Sequence, residues 1–133
     1  MTEGCKKDVS KVVYPELSYK IVGLIFDAYN SLGYGYQEKY YGRAIELAFK
    51  ENGIKFIGQQ FVPIKINGNT IGRYFLDFLV EDKIIIELKV GDYFDKTNMG
   101  QVLAYLKATD KKLAIIANFT RTGVKFRRIL NIK

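Results

Sequence analysis

The chain contains no histidine and a single cysteine, Cys5. Catalysis by Ser-His-Asp or Cys-His groups is therefore excluded, as are imidazole zinc sites, thiolate cages and disulfides within the chain. Without a disulfide framework, the expected compartment is a reducing cytoplasm. No apolar run approaches the roughly 20 residues of a membrane-spanning helix, so no membrane partner is expected. The first thirteen residues, MTEGCKKDVSKVV, carry charges and no apolar block of the kind that marks a signal peptide. They read as a polar arm over 1-13, ahead of a single domain over 14-133. Repeats, low-complexity tracts and linkers are also missing. What remains for chemistry is carboxylates, lysine, tyrosine and oxygen-loving metals.

Charge is present in excess of one sign. Lys and Arg number 21 against 14 Asp and Glu, a net charge of +7 and a pI near 9.4. From Arg121 to Lys133 there is no acid, while Arg121, Lys125, Arg127 and Arg128 are basic. A solvated basic face would explain such a stretch. A basic surface around a small acidic centre instead suggests a polyanion held beside a metal.

Apolar spacing outlines the elements. Leu17, Ile21, Leu24, Ile25, Ala28 and Leu32 recur at helical period behind Pro15, and Gly33-Tyr34-Gly35 ends that helix. A second helix is expected from about Tyr36 to Asn52, with Gly53 as its stop. Lys55 to Ile66 reads as a strand that Pro63 makes an edge or a bulged one. Asn67-Gly68 signals a hairpin into a strand over Thr70–Val80, and Glu81-Asp82-Lys83 turns the chain into Ile84–Val90. A third helix is expected over Asp95–Thr109 with Asp95 as N-cap, then strands over Leu113–Asn118 and Lys125–Leu130. The order α-α-β-β-β-α-β-β describes a mixed α+β domain with helices packed on one mixed sheet.

The acids fall where strands should be buried. Glu87 and Lys89 sit inside an apolar run, and Asp77 sits inside the strand before it. Side chains two apart on a strand share a face. A three-residue turn at Glu81–Lys83 then sets Asp77 directly opposite Glu87. Carboxylates so placed repel, and a hard divalent cation such as magnesium converts the repulsion into a binding site. An Asp–Lys or Glu–Lys ion pair is the alternative for any one acid; three charges in one apolar hairpin favour the metal. Glu38 stands in the first turn of the second helix, where the helix dipole suits an acid. Its spacing to Tyr41, Ile45 and Ala48 directs it toward the packed side. Gln101 and Tyr105, four apart on the third helix, adjoin the apolar stripe of Met99, Val102, Leu103 and Leu106.

Taken in order, Gly35-x-x-Glu38-x-x-Tyr41, Asp77, Glu87-Leu88-Lys89 and Gln101-x-x-x-Tyr105 resemble the GxxExxY protein family, a branch of the PD-(D/E)XK nuclease superfamily. The resemblance runs from about Tyr14 to Leu130. It implies a restriction-endonuclease-like fold and a metal-dependent nuclease acting on nucleic acid, DNA rather than RNA, with magnesium or manganese as cofactor. It makes Asp77 and Glu87 metal-binding acids, joined by the Leu88 carbonyl and by Glu38 as the helical acid. Lys89 would orient the attacking water, while Gln101 and Tyr105, with Tyr41, would support the site. The family often carries histidine a few residues before Gly33, where this chain has Tyr29, and the iron–sulfur cysteines of some RecB-like nucleases are missing.

Nothing in metal-dependent phosphodiester hydrolysis requires histidine. Lys39 or Arg43 together with Arg121, Lys125, Arg127 and Arg128 are the candidates for a phosphate track. Two other functions fit the same residues: a non-catalytic nucleic-acid-binding module, or a protein-interaction domain whose ten tyrosines serve a partner or a homodimer.

Overall fold

A computed structural model describes residues 13–131. The polar arm expected over 1–13 lies outside them apart from Val13, which packs on the core. Helix α1 (Pro15–Leu32) begins with proline in its first turn and ends where the Gly33 N–H returns to the Tyr29 carbonyl at φ 80°. Helix α2 (Glu38–Glu51) starts two residues later than its sequence suggests, because Gln37 is still extended. Strands β1 (Phe56–Ile66), β2 (Asn69–Val80) and β3 (Ile84–Val90) follow, then α3 (Lys96–Thr109), β4 (Leu113–Thr120) and β5 (Gly123–Leu130). Asn67 and Gly68 both take positive φ, 51° and 78°, as the two-residue hairpin turn requires. Asp95 caps α3 by accepting the Thr97 N–H at 2.9 Å. β4 and β5 each gain two residues over expectation, since Thr120 pairs with Gly123 across their turn.

The five strands lie in chain order. Only β3 and β4 run parallel, and α3 is the crossover between them. Pro63 is tolerated because β1 is an edge strand. One face of the sheet holds α1 and α2, through Ile21, Ile25, Tyr41, Ile45 and Phe49 against Ile84, Ile86, Leu88 and Phe119. The other holds α3, through Val102, Tyr105 and Leu106 against Leu76, Leu79, Ile85 and Ile116. Every residue of β4 is buried, as a strand covered on both faces demands. This is the restriction-endonuclease-like arrangement, a mixed sheet between helices.

Candidate active site

Pairing of β2 with β3 has the expected register: Val80 faces Ile84 and Phe78 faces Ile86 across the three-residue turn. The regular ladder stops there, one pair short of Asp77 and Glu87. Residue alternation shows why. Tyr74 and Leu76 face α3, yet so does Leu79, while Phe78 and Val80 face α1 and α2. The alternation of β2 slips by one residue at Asp77. On the other side of Asp77, β1 makes the same slip at Gln59, which has φ 52° and is skipped between the pairs Gly58–Phe78 and Gln60–Leu76. Asp77 thus occupies a kink at which neither neighbouring strand offers it a regular ladder partner.

Carboxylates fill the gap. The Asp77 N–H donates to Glu87 Oε1 at 3.0 Å, and the Leu88 N–H donates to Asp77 Oδ2 at 2.8 Å. The two acids do not face each other bare across a continuous ladder; each replaces a backbone acceptor on the opposite strand. Glu87 Oε2 accepts the Tyr74 hydroxyl at 2.7 Å, and Asn98 Nδ2 reaches that hydroxyl at 3.5 Å. Tyr105 crosses the Tyr74 ring with centroids 3.7 Å apart. Glu87, 4% exposed, belongs to the α3 side of the gap. Asp77 opens to the α2 side, where it lines a cavity of about 290 Å³ together with Glu38, Lys39, Arg43 and Glu46.

Electrostatics tie the acids into one site. Burial, reinforced by the Asp77 carboxylate, pushes Glu87 up to about 7; its hydrogen bonds from Tyr74 and Asp77 and the charge of Lys89 oppose the rise. Burial likewise raises Asp77 against the Leu88 N–H, Lys89 and Gln59. Glu38 is raised by burial and then by Asp77, with Lys89 opposing. Lys89, half-buried on β3, is therefore close enough to act on all three carboxyls. Burial and the Glu87 charge push Tyr105 up to about 12.

Several residues lie elsewhere than the sequence suggests. Glu38, the first residue of α2, keeps an exposed side while its carboxyl is partly covered at the cavity wall; the buried stripe is Tyr41, Ile45 and Phe49, one turn further in. Tyr41 makes its hydrogen bond and ring stacking away from Asp77 and Glu87. Its hydroxyl donates to the Gly33 carbonyl at 2.6 Å, and its ring stacks on Phe119 with centroids 4.2 Å apart. Tyr29, in place of the family histidine, donates to the Thr120 carbonyl at 2.6 Å and so joins α1 to β4. Gln101 is exposed on α3, a helical turn from Tyr105. The basic residues divide. Lys39 and Arg43 edge the cavity and lie over the Tyr40 ring at 5.3 and 5.5 Å. Arg128 reaches Ser18 of α1, whereas Arg127 lies 4.5 Å over the Phe94 ring on the α3 side. Arg121 is paired with Asp92 at 3.0 Å. Neighbouring residues on β5 point to opposite faces, so the four do not form a single track.

Tyr74, Asn98 and Gln59 were not legible as site residues. A tyrosine on an alternating strand and an asparagine in the first turn of a helix look like ordinary boundary packing, and nothing local marks the kink at Gln59.

Among the described residues, no three His, Cys, Asp or Glu side chains form a ready ion cage. The donor set nonetheless suits a hard cation: carboxylate oxygens alone, each with a second lone pair beyond its present hydrogen bond, and raised acids that Lys89 only partly offsets.

The sequence profile of the PD-(D/E)XK nuclease superfamily matches residues 15–129. A solved structure described as "Crystal structure of SSO0001" superposes with a TM-score of 0.54 at 18% identity, covering 72% of this chain and 51% of the other. The chain thus spans about half the length of that structure, and the likeness is one of fold. No curated protein matches the chain.

Proposed function

This chain belongs to the PD-(D/E)XK nuclease superfamily, and from that premise we propose that it is a metal-dependent nuclease of the GxxExxY branch that hydrolyses phosphodiester bonds in DNA. The supporting observation is the interlocked pair Asp77 and Glu87, set in a gap of the sheet beside Glu38, Lys89 and a cavity edged by Lys39 and Arg43. Asp77, Glu87 and Glu38, with the Leu88 carbonyl, would hold magnesium or manganese. When bound, such an ion lowers the pKa of water and neutralises charge on a phosphate.

The chain's own residues supply the rest. Lys39 and Arg43 attract the phosphate backbone into the cavity. Lys89 adds a cation where negative charge develops on the phosphate. Tyr74, Asn98 and Tyr105 keep water from the far side of Glu87 and hold its carboxylate in one orientation. Gln101 borders the same face of α3 and is assigned to contact with the nucleic acid.

Cleavage of linear, circular and single-stranded DNA and of RNA, in magnesium and in chelator, tests the proposal. Cleavage of DNA in magnesium, absent in chelator and absent in Glu87→Gln, is expected. Equal activity in wild type and Glu87→Gln would refute it. A second reading, nucleic-acid binding without hydrolysis, is favoured by one observation: both Glu87 oxygens already accept hydrogen bonds. Salt-sensitive binding with no cleavage in any metal would select that reading.

A further inference from the structure

Beyond the acidic cavity, the β1–β2 hairpin carries an aromatic pair into solvent. Phe61 and Phe75 are partners across the two strands, with ring centroids 6.1 Å apart and planes tilted by 52°. Cross-strand packing of this kind steadies a hairpin, yet each phenylalanine remains 52% exposed. Over Phe75 lies the Arg73 guanidinium, 6.0 Å from the ring centroid. Among the described residues no carboxylate pairs with Arg73, and the sequence from Phe56 to Leu76 contains no acid. The patch is two half-exposed rings beside an unopposed cation.

This patch and the acidic cavity share a face of the sheet. Val62, Tyr74 and Leu76 pack toward α3, so their neighbours Phe61 and Phe75 point the other way, toward the layer of α1 and α2. Asp77 opens to that same layer, where Lys39 and Arg43 edge the cavity. Phe75 precedes Asp77 by two residues, about 7 Å along β2, close to the span of one nucleotide in an extended strand. An aromatic surface therefore adjoins the phosphate-attracting cavity at the distance of a neighbouring base.

We propose that Phe61 and Phe75 are a stacking platform for unpaired bases, and that the strand held at the cavity is single-stranded DNA. The placement of its phosphate rests on the nuclease reading above; the platform itself does not. In a duplex each base is covered on both faces by its neighbours, and a ring fixed on a sheet cannot reach between them. Unpaired bases expose faces that stack on aromatic side chains, while cations beside the rings hold the backbone. The lack of acids on the arm matters here, since a carboxylate would repel the strand. Phenylalanine carries no hydrogen-bonding group, so the platform takes every base alike. Single strands, frayed ends and gaps are then the substrates, and intact duplex is a poor one.

Fluorescence anisotropy of the full chain in chelator, with a mixed-sequence single strand and a blunt duplex of the same sequence, tests this. Wild type should bind the single strand more tightly. Phe75→Leu keeps an apolar side chain but loses the aromatic face; it should weaken single-strand binding about tenfold or more and leave duplex binding unchanged. Phe61→Leu should act in the same direction, and Phe75→Tyr, which keeps the ring, should bind like wild type. Equal binding of both forms by wild type overturns the proposal. So does single-strand binding by Phe75→Leu and Phe61→Leu as tight as that of wild type. Cleavage in magnesium separates the two readings. Single-strand binding lost in Phe75→Leu, with no cleavage by wild type, refutes the nuclease and leaves the platform. Equal cleavage of both forms, with binding unchanged in Phe75→Leu, refutes the platform and leaves the nuclease.

Discussion

Glu87→Gln should make the metal-free protein more stable at neutral and alkaline pH. Glu87 titrates near 7 in the folded chain against an ordinary value of 4.5, chiefly because it is buried and then because Asp77 lies beside it. Between those two values the folded chain keeps a proton that the unfolded chain has lost. Stability therefore falls as pH rises through this window, and the penalty is complete above the folded value. The gap corresponds to about 3 kcal/mol, shared with Asp77 because the two carboxyls titrate as a pair. Glutamine keeps the shape and both contacts: its oxygen can accept the Asp77 N–H, and its amide can donate to the Tyr74 hydroxyl. It removes the charge alone. Urea or thermal melts in chelator at about pH 5 and about pH 8 should show wild type losing stability between them and Glu87→Gln losing little. At the upper pH the variant should melt higher by about 10 °C, taking roughly 3 °C per kcal/mol for a domain of this size. A variant less stable than wild type at both values would show that the Glu87 charge is structurally satisfied, and the reasoning from burial would fail.

Tyr74→Phe deletes the hydroxyl that holds Glu87 Oε2; it should weaken magnesium binding about tenfold or more, as loss of an outer partner of a ligating group does, measurable by calorimetry. Lys39→Ala with Arg43→Ala should weaken DNA binding and flatten its salt dependence by one to two contacts' worth. Arg121→Ala should do less, since that guanidinium is already paired with Asp92; fluorescence anisotropy across salt concentrations separates the two. Phe119→Ala removes the ring on which Tyr41 stacks and leaves a core cavity. A loss of about 3 to 5 kcal/mol is expected in denaturant unfolding.

The order of elements and the register of β2 on β3 were legible because they depend on local signals. Asn67-Gly68 fixes one turn, Glu81–Lys83 fixes the next, and the apolar run Ile84–Ile86 identifies a strand covered on both faces. The nearness of Asp77 and Glu87 on adjacent strands followed from those turns; a shared face did not, because Glu87 belongs to the α3 side and Asp77 opens to the α2 side. Their hydrogen bonding did not, because it depends on the paired kinks at Gln59 and Asp77, where two strands slip together and alternation around the slip looks normal. The exposed side of Glu38 was missed for a different reason. Helical spacing assigns a residue to a face, but the first residue of a helix can overhang the layer it packs on. Tyr41, Ile45 and Phe49 show where the buried stripe really begins. The split of Arg127 from Arg128 needed only the two-residue period of a strand, and a count of basic residues obscures it.

The proposed nuclease depends on the carboxylates at the β2–β3 gap forming a metal site. Manganese titration followed by electron paramagnetic resonance tests it without any substrate, because bound ion loses the sharp signal of free ion. Wild type should bind manganese saturably and gain about 2.7 kcal/mol of stability at a hundred times the dissociation constant. Asp77→Asn, which keeps an oxygen for the Leu88 N–H, should remain folded and equally stable without metal yet lose both responses. Equal manganese binding by wild type and Asp77→Asn, or a metal-indifferent wild type alongside a destabilised Asp77→Asn, would contradict the claim and leave Asp77 and Glu87 as structural ties between two strands.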